Sequence, residues 1–208
     1  VTYRVYRNGA ILAEGIREPE ETEDDEESDG PSFIDRGVSG TAIYHLQAAA
    51  PDGTLSNLSA PLIAAAPGAT VTAEAETGTW DRVPNPALYY GFQGESCVRM
   101  QTNDKGELRV RVPSAGRYLV RWSYSNGNGP INTDNKAAVR SLYVNGTDSG
   151  TCVFAQTNGW ARWSWSNALI LDLAAGDTVF SLSANPEDAN MNLTVNEAAL
   201  DFLQLIRL

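Results

Sequence analysis

The sequence predicts an all-β protein built of sandwiches, and three observations carry that reading. No segment sustains the apolar period of a helix. Short apolar–polar alternations recur along the 208 residues, as half-buried strands require. Between them lies turn chemistry: Asn8 with Gly9, the ProAspGlyThr at 51–54, the SerAlaGlyArg at 114–117, Asn145 with Gly146, and the AlaAlaGlyAsp at 174–177.

The strands follow in order. Residues 1–7 alternate Val1, Tyr3 and Val5 with polar neighbours, and Asn8 and Gly9 turn the chain into a return strand near 11–14. After an acidic run come Phe33, Ile34 and Asp35. A longer strand at 41–48 sets Tyr44, Leu46 and Ala48 on one face and Ile43, His45 and Gln47 on the other. A last strand follows the turn at 51–54. The small residues at 64–69, with Pro67 and Gly68, mark a boundary, so the chain divides into 1–66 and 67–208. Beyond it, strands are expected at 107–112, 118–124, 138–144, 152–155, 162–173, 178–184 and 199–208. This spacing of short strands and turns belongs to sandwiches.

Composition narrows the function. Hydrophobic residues make up 42% of the chain, enough for a packed core. The net charge is −11, but nine acids lie between Glu18 and Asp29, and the remainder is close to neutral. No basic stripe exists, which excludes nucleic acid as a partner. The acidic run reads as a solvated loop spanning 17–31, with weak cation binding as the alternative. No apolar run reaches the length of a membrane span. No signal peptide opens the sequence, so it reads as a mature product or an excised fragment.

Catalytic devices are scarce. The one histidine, His45, sits on a polar strand face, which argues against Ser–His and Cys–His chemistry. Cys97 and Cys152 match no zinc or redox spacing; they form either one disulfide or two buried thiols. The acids are more telling. Glu74 and Glu76 are two apart, so in an extended strand they project to the same side. Asp201 interrupts an apolar strand, where an unpaired charge is costly. If the first and last strands of the second module lie side by side, these three carboxylates converge, and hard oxygen donors suit calcium.

Two resemblances extend this reading. Residues 1–66 resemble the second half of a fibronectin type III domain through TyrArgValTyrArgAsnGly at 3–9, PheIleAspArgGly at 33–37, TyrHisLeuGlnAla at 44–48 and SerAsnLeuSer at 56–59. Such a domain has two further strands ahead of these, so the resemblance implies a partial sandwich with an open face, completed by preceding chain or by another chain. Residues 67–208 resemble the carbohydrate-binding modules of families six and thirty-five, which are β-sandwich jelly rolls. The matching strings run in order: AlaGluAlaGlu at 73–76, ProSerAlaGlyArgTyrLeuValArgTrpSerTyr at 113–124, AsnGlyAsnGly at 126–129 and ArgSerLeuTyrValAsnGly at 140–146. GlyTrpAlaArgTrp at 159–163, LeuAspLeuAlaAlaGlyAsp at 171–177 and LeuAspPheLeuGlnLeu at 200–205 complete them.

The second resemblance implies a structural calcium ion held by Glu74, Glu76 and Asp201 with backbone carbonyls, and a sugar cleft built from loops at one end of the sandwich. Sugar rings pack their C–H faces on aromatic rings and need directional partners for their hydroxyls. Trp160 is the expected platform, with Tyr89 or Tyr90 as the facing wall and Asn126 and Asn128 orienting hydroxyls. Trp122 and Tyr124 are expected in the core, and Trp163 and Trp165 on a sheet face. The chain departs from the family at Ala199, where relatives often place a sugar-binding Asn; Asn196, Asn192 and Asn190 are the nearby substitutes. The resulting expectation is a non-catalytic polysaccharide-binding module of a larger carbohydrate-active enzyme, secreted, periplasmic or at the cell surface. A spacer without a ligand, and an accessory fragment completing a polysaccharide lyase or glycoside hydrolase, are the alternatives.

Overall fold

The computed structural model describes residues 1–17, 32–85, 87, 89–129, 136–188 and 196–208. The acidic run, Asn190 and Asn192 fall outside the described residues. The chain divides into two compact units, Val1–Ala69 and Thr70–Arg207. Among the described residues there is no α-helix, and no helix is long and apolar enough to cross a membrane.

The first unit holds β1 (Thr2–Arg7), β2 (Ala10–Ile16), β3 (Ala42–Ala49) and β4 (Leu62–Ala64), in one antiparallel sheet of order β2-β1-β3-β4. Asn8 and Gly9 both take positive φ, 51° and 83°, as a two-residue hairpin turn demands. The register pairs Val5 with Leu46 and Arg7 with Tyr44, so these four share a face. That face lines an apolar groove of about 820 Å³ together with Tyr3, Ile16, Phe33 and Leu62. The opposite face is polar, with Arg4 paired to Glu14 at 3.2 Å and Tyr6 Oη donating to Gln47 at 2.7 Å. Asp35 pins the segment beside the groove by accepting from Gly37 N, Tyr44 Oη and Arg7.

The second unit holds β5 (Thr70–Glu74), β6 (Thr79–Trp80), β7 (Val98–Met100), β8 (Gly106–Val112), β9 (Gly116–Ser125) and β10 (Ala138–Val144). It continues with β11 (Thr147–Phe154), β12 (Ser164–Trp165), β13 (Leu169–Leu173), β14 (Gly176–Ser183) and β15 (Ala198–Arg207). One sheet has the order β11-β10-β14-β8-β6. In the other, β9 and β15 form the centre; β12 and β13 pair with β9, and β5 and β7 pair with β15. Alternate residues of the two sheets meet in one core: Leu108, Val110 and Val112 from β8, Tyr118, Val120, Trp122 and Tyr124 from β9, and Phe180 and Leu182 from β14, with Leu200, Leu203 and Leu205 from β15. Trp122 is fully buried, with Trp80 edge-on at 6.0 Å.

Two local features shape the site. The expected strand at 162–173 is broken into β12 and β13 at Ser166, whose N still donates to Trp122 O but whose Oγ replaces its carbonyl as the acceptor for Trp122 N, at 3.0 Å, and donates to Asn167 O. In β15 the register with β9 shifts between Leu200 and Phe202, a bulge that takes Asp201 out of the core file.

Candidate functional site: aromatic pair and carboxylate cluster

The loops joining β6 to β7, β9 to β10 and β11 to β12 gather at the end of the second unit where β9 finishes and β15 begins. Antiparallel pairing of Ala199 with Ser125 and with Arg99 fixes that meeting point. Trp160, half-buried in the β11–β12 loop, stacks on Tyr89 with ring centroids 4.8 Å apart and planes 8° from parallel. Gly127 makes the close approach possible, since a Cβ there would lie 2.4 Å from Trp160 Cδ1. The Arg99 guanidinium stands 5.2 Å from the Trp160 ring centroid and donates to Glu197 Oε2. Tyr90 is 84% exposed beside this pair. A depression of about 460 Å³, lined by Gly127, Gly129, Asn158, Gly159 and Arg162, opens at the same loops.

The expected polar contacts need correction. Asn126 is fully buried, and its side chain is spent on the protein: Nδ2 donates to Lys136 O and Phe154 O, while Oδ1 accepts from Asn128 N and Nδ2. Asn196 is buried as well, its Oδ1 accepting from Val139 N and Arg140 Nη1. Asn126 satisfies the carbonyls of Lys136 and Phe154, and Asn196 the amide of Val139, backbone groups that would otherwise lack side-chain partners. Asn128 is half-buried, and its Nδ2 also holds Glu197 O at 3.1 Å. Tyr89 does not form a wall opposite Trp160. The rings bury each other's faces, and 4.8 Å leaves no room for a sugar between them. Trp163 braces the loop before β7, its Nε1 donating to Tyr90 O at 2.7 Å. Trp165 lies on the sheet surface under Arg121, whose guanidinium is 3.7 Å from the ring centroid.

The cysteines are two separate free thiols, not a bridge. Cys97 precedes β7 in one sheet, near Asp201 and Glu76; Cys152 lies on β11 in the other, near Asp188. Burial, reinforced by these acids, pushes the thiols up to about 11 and about 12, respectively.

The first and last strands of the unit do lie side by side, with Glu74 opposite Phe202. The loop at 93–95 touches all three carboxylates. Gln93 N donates to Asp201 Oδ1 at 2.9 Å and Glu95 N to Glu76 Oε1 at 3.1 Å, while a Cβ on Gly94 would lie 2.9 Å from Glu74 Oε2. Ser123 Oγ donates to the other Asp201 oxygen. Glu74 Oε2 and Glu76 Oε2 are buried with no hydrogen-bond partner among the described residues. Burial and then the charges of Glu74 and Glu76 push Asp201 up to about 6, against the donors Ser123 and Gln93. Burial and Glu76 raise Glu74 in the same way. Among the described residues, no three acidic, histidine or cysteine side chains are already drawn into a metal cage.

Sequence reasoning missed Arg99, Glu197 and Gly127. Arg99 lies on β7, a three-residue strand too short to show a period. A charge between Val98 and Met100 is the one signal that marks it.

No family model matches the chain. It is 31% identical over 94 residues to a cycloisomaltooligosaccharide glucanotransferase of Niallia circulans, a match covering 44% of this chain and 9% of that enzyme. The chain thus spans about a tenth of the length of the curated relatives it matches. A family 35 carbohydrate-binding module from Clostridium thermocellum superposes with a TM-score of 0.53 at 21% identity, over 67% of this chain and 98% of that one. A Paenibacillus cycloisomaltooligosaccharide glucanotransferase, solved with cycloisomaltoheptaose bound, gives 0.51 at 22% identity, over 64% of this chain and 18% of that one. Thr70–Arg207 therefore shares the β-jelly-roll fold of the family 35 carbohydrate-binding modules.

Proposed function

We propose that Thr70–Arg207 is a non-catalytic carbohydrate-binding module of a larger carbohydrate-active enzyme, and that its ligand is a glucan of α-1,6-linked glucose. One observation carries the reading: an aromatic pair, Trp160 on Tyr89, stands with the exposed Tyr90 among polar groups at the loop end of a jelly roll. The stack covers one face of each ring, so the aromatic surface left to a pyranose is the rest of the pair and the exposed Tyr90 ring, edged by donors and acceptors. The linkage comes from the glucanotransferases, which the chain matches both in sequence and in fold. The Val1–Ala69 sheet, on this reading, is a fibronectin-like spacer.

The carboxylate cluster supports a structural calcium site. Two orphaned buried oxygens and a carboxyl pushed up to about 6 describe negative charge gathered without a counter-charge, and a hard divalent cation relieves both. Glu74, Glu76 and Asp201 would hold it, helped by carbonyls of the neighbouring loop. The ion would tie the first strand to the last and take no part in chemistry.

The test is retention of the protein on immobilised dextran and calorimetric titration with cycloisomaltoheptaose, each with calcium and with chelator. Wild type is expected to bind weakly, because the contact is small. Trp160→Ala is expected to lose at least about tenfold in affinity. Undiminished binding by that variant removes Trp160 from the site. Failure of wild type to bind any glycan favours the ligand-free spacer, the reading that the inward-turned Asn126 and Asn196 support.

A further inference from the structure

Within the carbohydrate-binding reading proposed above, on which this inference rests, we infer that Glu197 is a specificity residue: paired with Arg99 beside the Trp160–Tyr89 stack, it makes the site accept neutral sugars and reject uronates. An arginine beside an aromatic platform is by itself a receptor for a sugar carboxylate, since its planar fork binds carboxylates in a bidentate fashion. Here the fork is already engaged. Arg99 Nη2 donates to Glu197 Oε2, and both side chains are partly shielded, 36% and 20% exposed. Burial works against the Arg99 charge, and the hydrogen bond and charge of Glu197 together with Tyr89 more than offset it.

The counter-ion is built in rather than borrowed from a mobile surface chain. Its neighbour Asn196 is clamped, with Oδ1 accepting from Val139 N and Arg140 Nη1 and its carbonyl accepting from Arg140 Nη2. Arg140 is 1% exposed and also reaches Gln101 O, so the clamp is anchored in the interior. Asn128 Nδ2 holds the Glu197 carbonyl, and Ala198 enters the β15 ladder at once. The Glu197 backbone is therefore fixed at both flanks, which keeps its carboxylate within reach of Arg99.

The second cation nearby is matched in the same way. Arg82 Nε donates to Asp104 at 2.8 Å and Arg82 Nη2 to Gln101 Oε1 at 2.6 Å. Arg162 is exposed at the rim of the depression, where solvent and salt screen it. At the Arg99–Glu197 pair a uronate meets a neutralised arginine and a like charge, while Arg162 and, beside Gly129, Lys136 are the cations at the rim of the depression. A sugar hydroxyl, which both donates and accepts, can use the carboxylate and the guanidinium together. Selectivity of this kind rests on the repulsive element as much as on the attractive one.

The experiment compares two ligands by calorimetry: a linear isomaltooligosaccharide, and the same oligosaccharide with its non-reducing glucose oxidised to glucuronic acid. Wild type is expected to favour the neutral ligand by about tenfold or more. Glu197→Gln is expected to bring the two affinities within about threefold or to invert them, and to make uronate binding salt-sensitive. Glu197→Asp, which keeps the charge, is expected to retain the neutral preference. Thermal unfolding of each variant separates a lost fold from a changed preference. Equal or tighter uronate binding by wild type overturns the inference. So does a ratio unmoved by Glu197→Gln while Trp160→Ala abolishes binding of both ligands, a result that leaves the sugar site standing. Failure of wild type to bind either ligand overturns the sugar site and the role of Glu197 together.

Discussion

The two sheets of Thr70–Arg207 bury each other's apolar faces, whereas the single sheet of Val1–Ala69 leaves most of its apolar face lining an open groove. Both units alternate apolar and polar residues in the same way, and both use Asn-Gly hairpin turns. The difference is therefore not in strand formation but in what the strands find to pack against. In the second unit Trp122, Leu108 and Phe180 are fully buried; in the first, Leu46 is 50% and Leu62 70% exposed. Pairing alone makes a sheet, and a second layer makes a core.

The sharpest way to break this comparison is a matched pair of truncations. Trp122→Ala removes a fully buried indole packed on Trp80, and its expected cost is about 3–5 kcal/mol, enough to unfold the second unit at moderate temperature. Leu46→Ala in the first unit is expected to change stability by less than about 1 kcal/mol, because its side chain stays half in solvent. Thermal or urea unfolding measures both. A Leu46→Ala penalty comparable to that of Trp122→Ala would show that the groove is covered in solution.

The next largest effect concerns the carboxylate cluster, which has no counterpart among the described residues of the first unit. Asp201 is raised in the folded state from an ordinary 3.8 to about 6. The fold therefore disfavours its ionised form. This penalty is absent below pH 3.8, grows between there and pH 6, and is complete above it, reaching on the order of 3 kcal/mol. With chelator present, the second unit is expected to gain stability as the pH falls from 7 to 5. With calcium present, the penalty at pH 7 is expected to vanish and the trend to reverse, because protons now compete with the ion. Melting curves at pH 5 and 7, with and without calcium, read this directly. Identical curves with and without the ion contradict the metal assignment.

Smaller effects separate residues that build the site from those that face its ligand. Asn126→Ala strips partners from the carbonyls of Lys136 and Phe154 and is expected to cost about 1–3 kcal/mol of stability. Tyr90→Ala, at an 84% exposed position, is expected to leave the melting temperature unchanged and to weaken glycan binding. A Tyr90→Ala protein that melts early but binds normally reverses these roles.

The legibility of the sequence follows the same line. Strands of six or more residues with one buried face, such as β8, β10 and β14, announce themselves by alternation and by the turns that flank them. β6 and β7, of two and three residues, have no period to read, so Arg99 goes unseen with them. Asp201 is legible because a carboxylate in an apolar strand is costly and demands an explanation. The bulge that re-aims it is not legible, because nothing in the residue types marks where a register slips. The loop asparagines mislead for a related reason. Composition shows that Asn126 and Asn196 can donate and accept, and only the folded loops decide that buried backbone claims them.

The two Asn-Gly turns offer the finest test of what the units share. Asn8 and Asn145 sit at φ 51° and 50°, a left-handed conformation that asparagine tolerates better than most residues. Each also docks its turn onto a neighbouring strand by the same two bonds. Asn8 N donates to Ile43 O at 2.8 Å and Asn8 Oδ1 accepts from Ile43 N at 2.9 Å. Asn145 N donates to Val179 O at 2.8 Å and Asn145 Oδ1 accepts from Val179 N at 2.9 Å. Alanine keeps the backbone bond, loses the side-chain bond and strains the turn, so each substitution is expected to cost about 1–2 kcal/mol. The chemistry is local, and the two costs are expected to agree even though one turn borders a packed sandwich and the other an open sheet. Urea unfolding of the two single variants measures them. A cost confined to Asn145→Ala would mean that the turn draws its strength from the core behind it, and that the units differ in more than the layer one of them has and the other lacks.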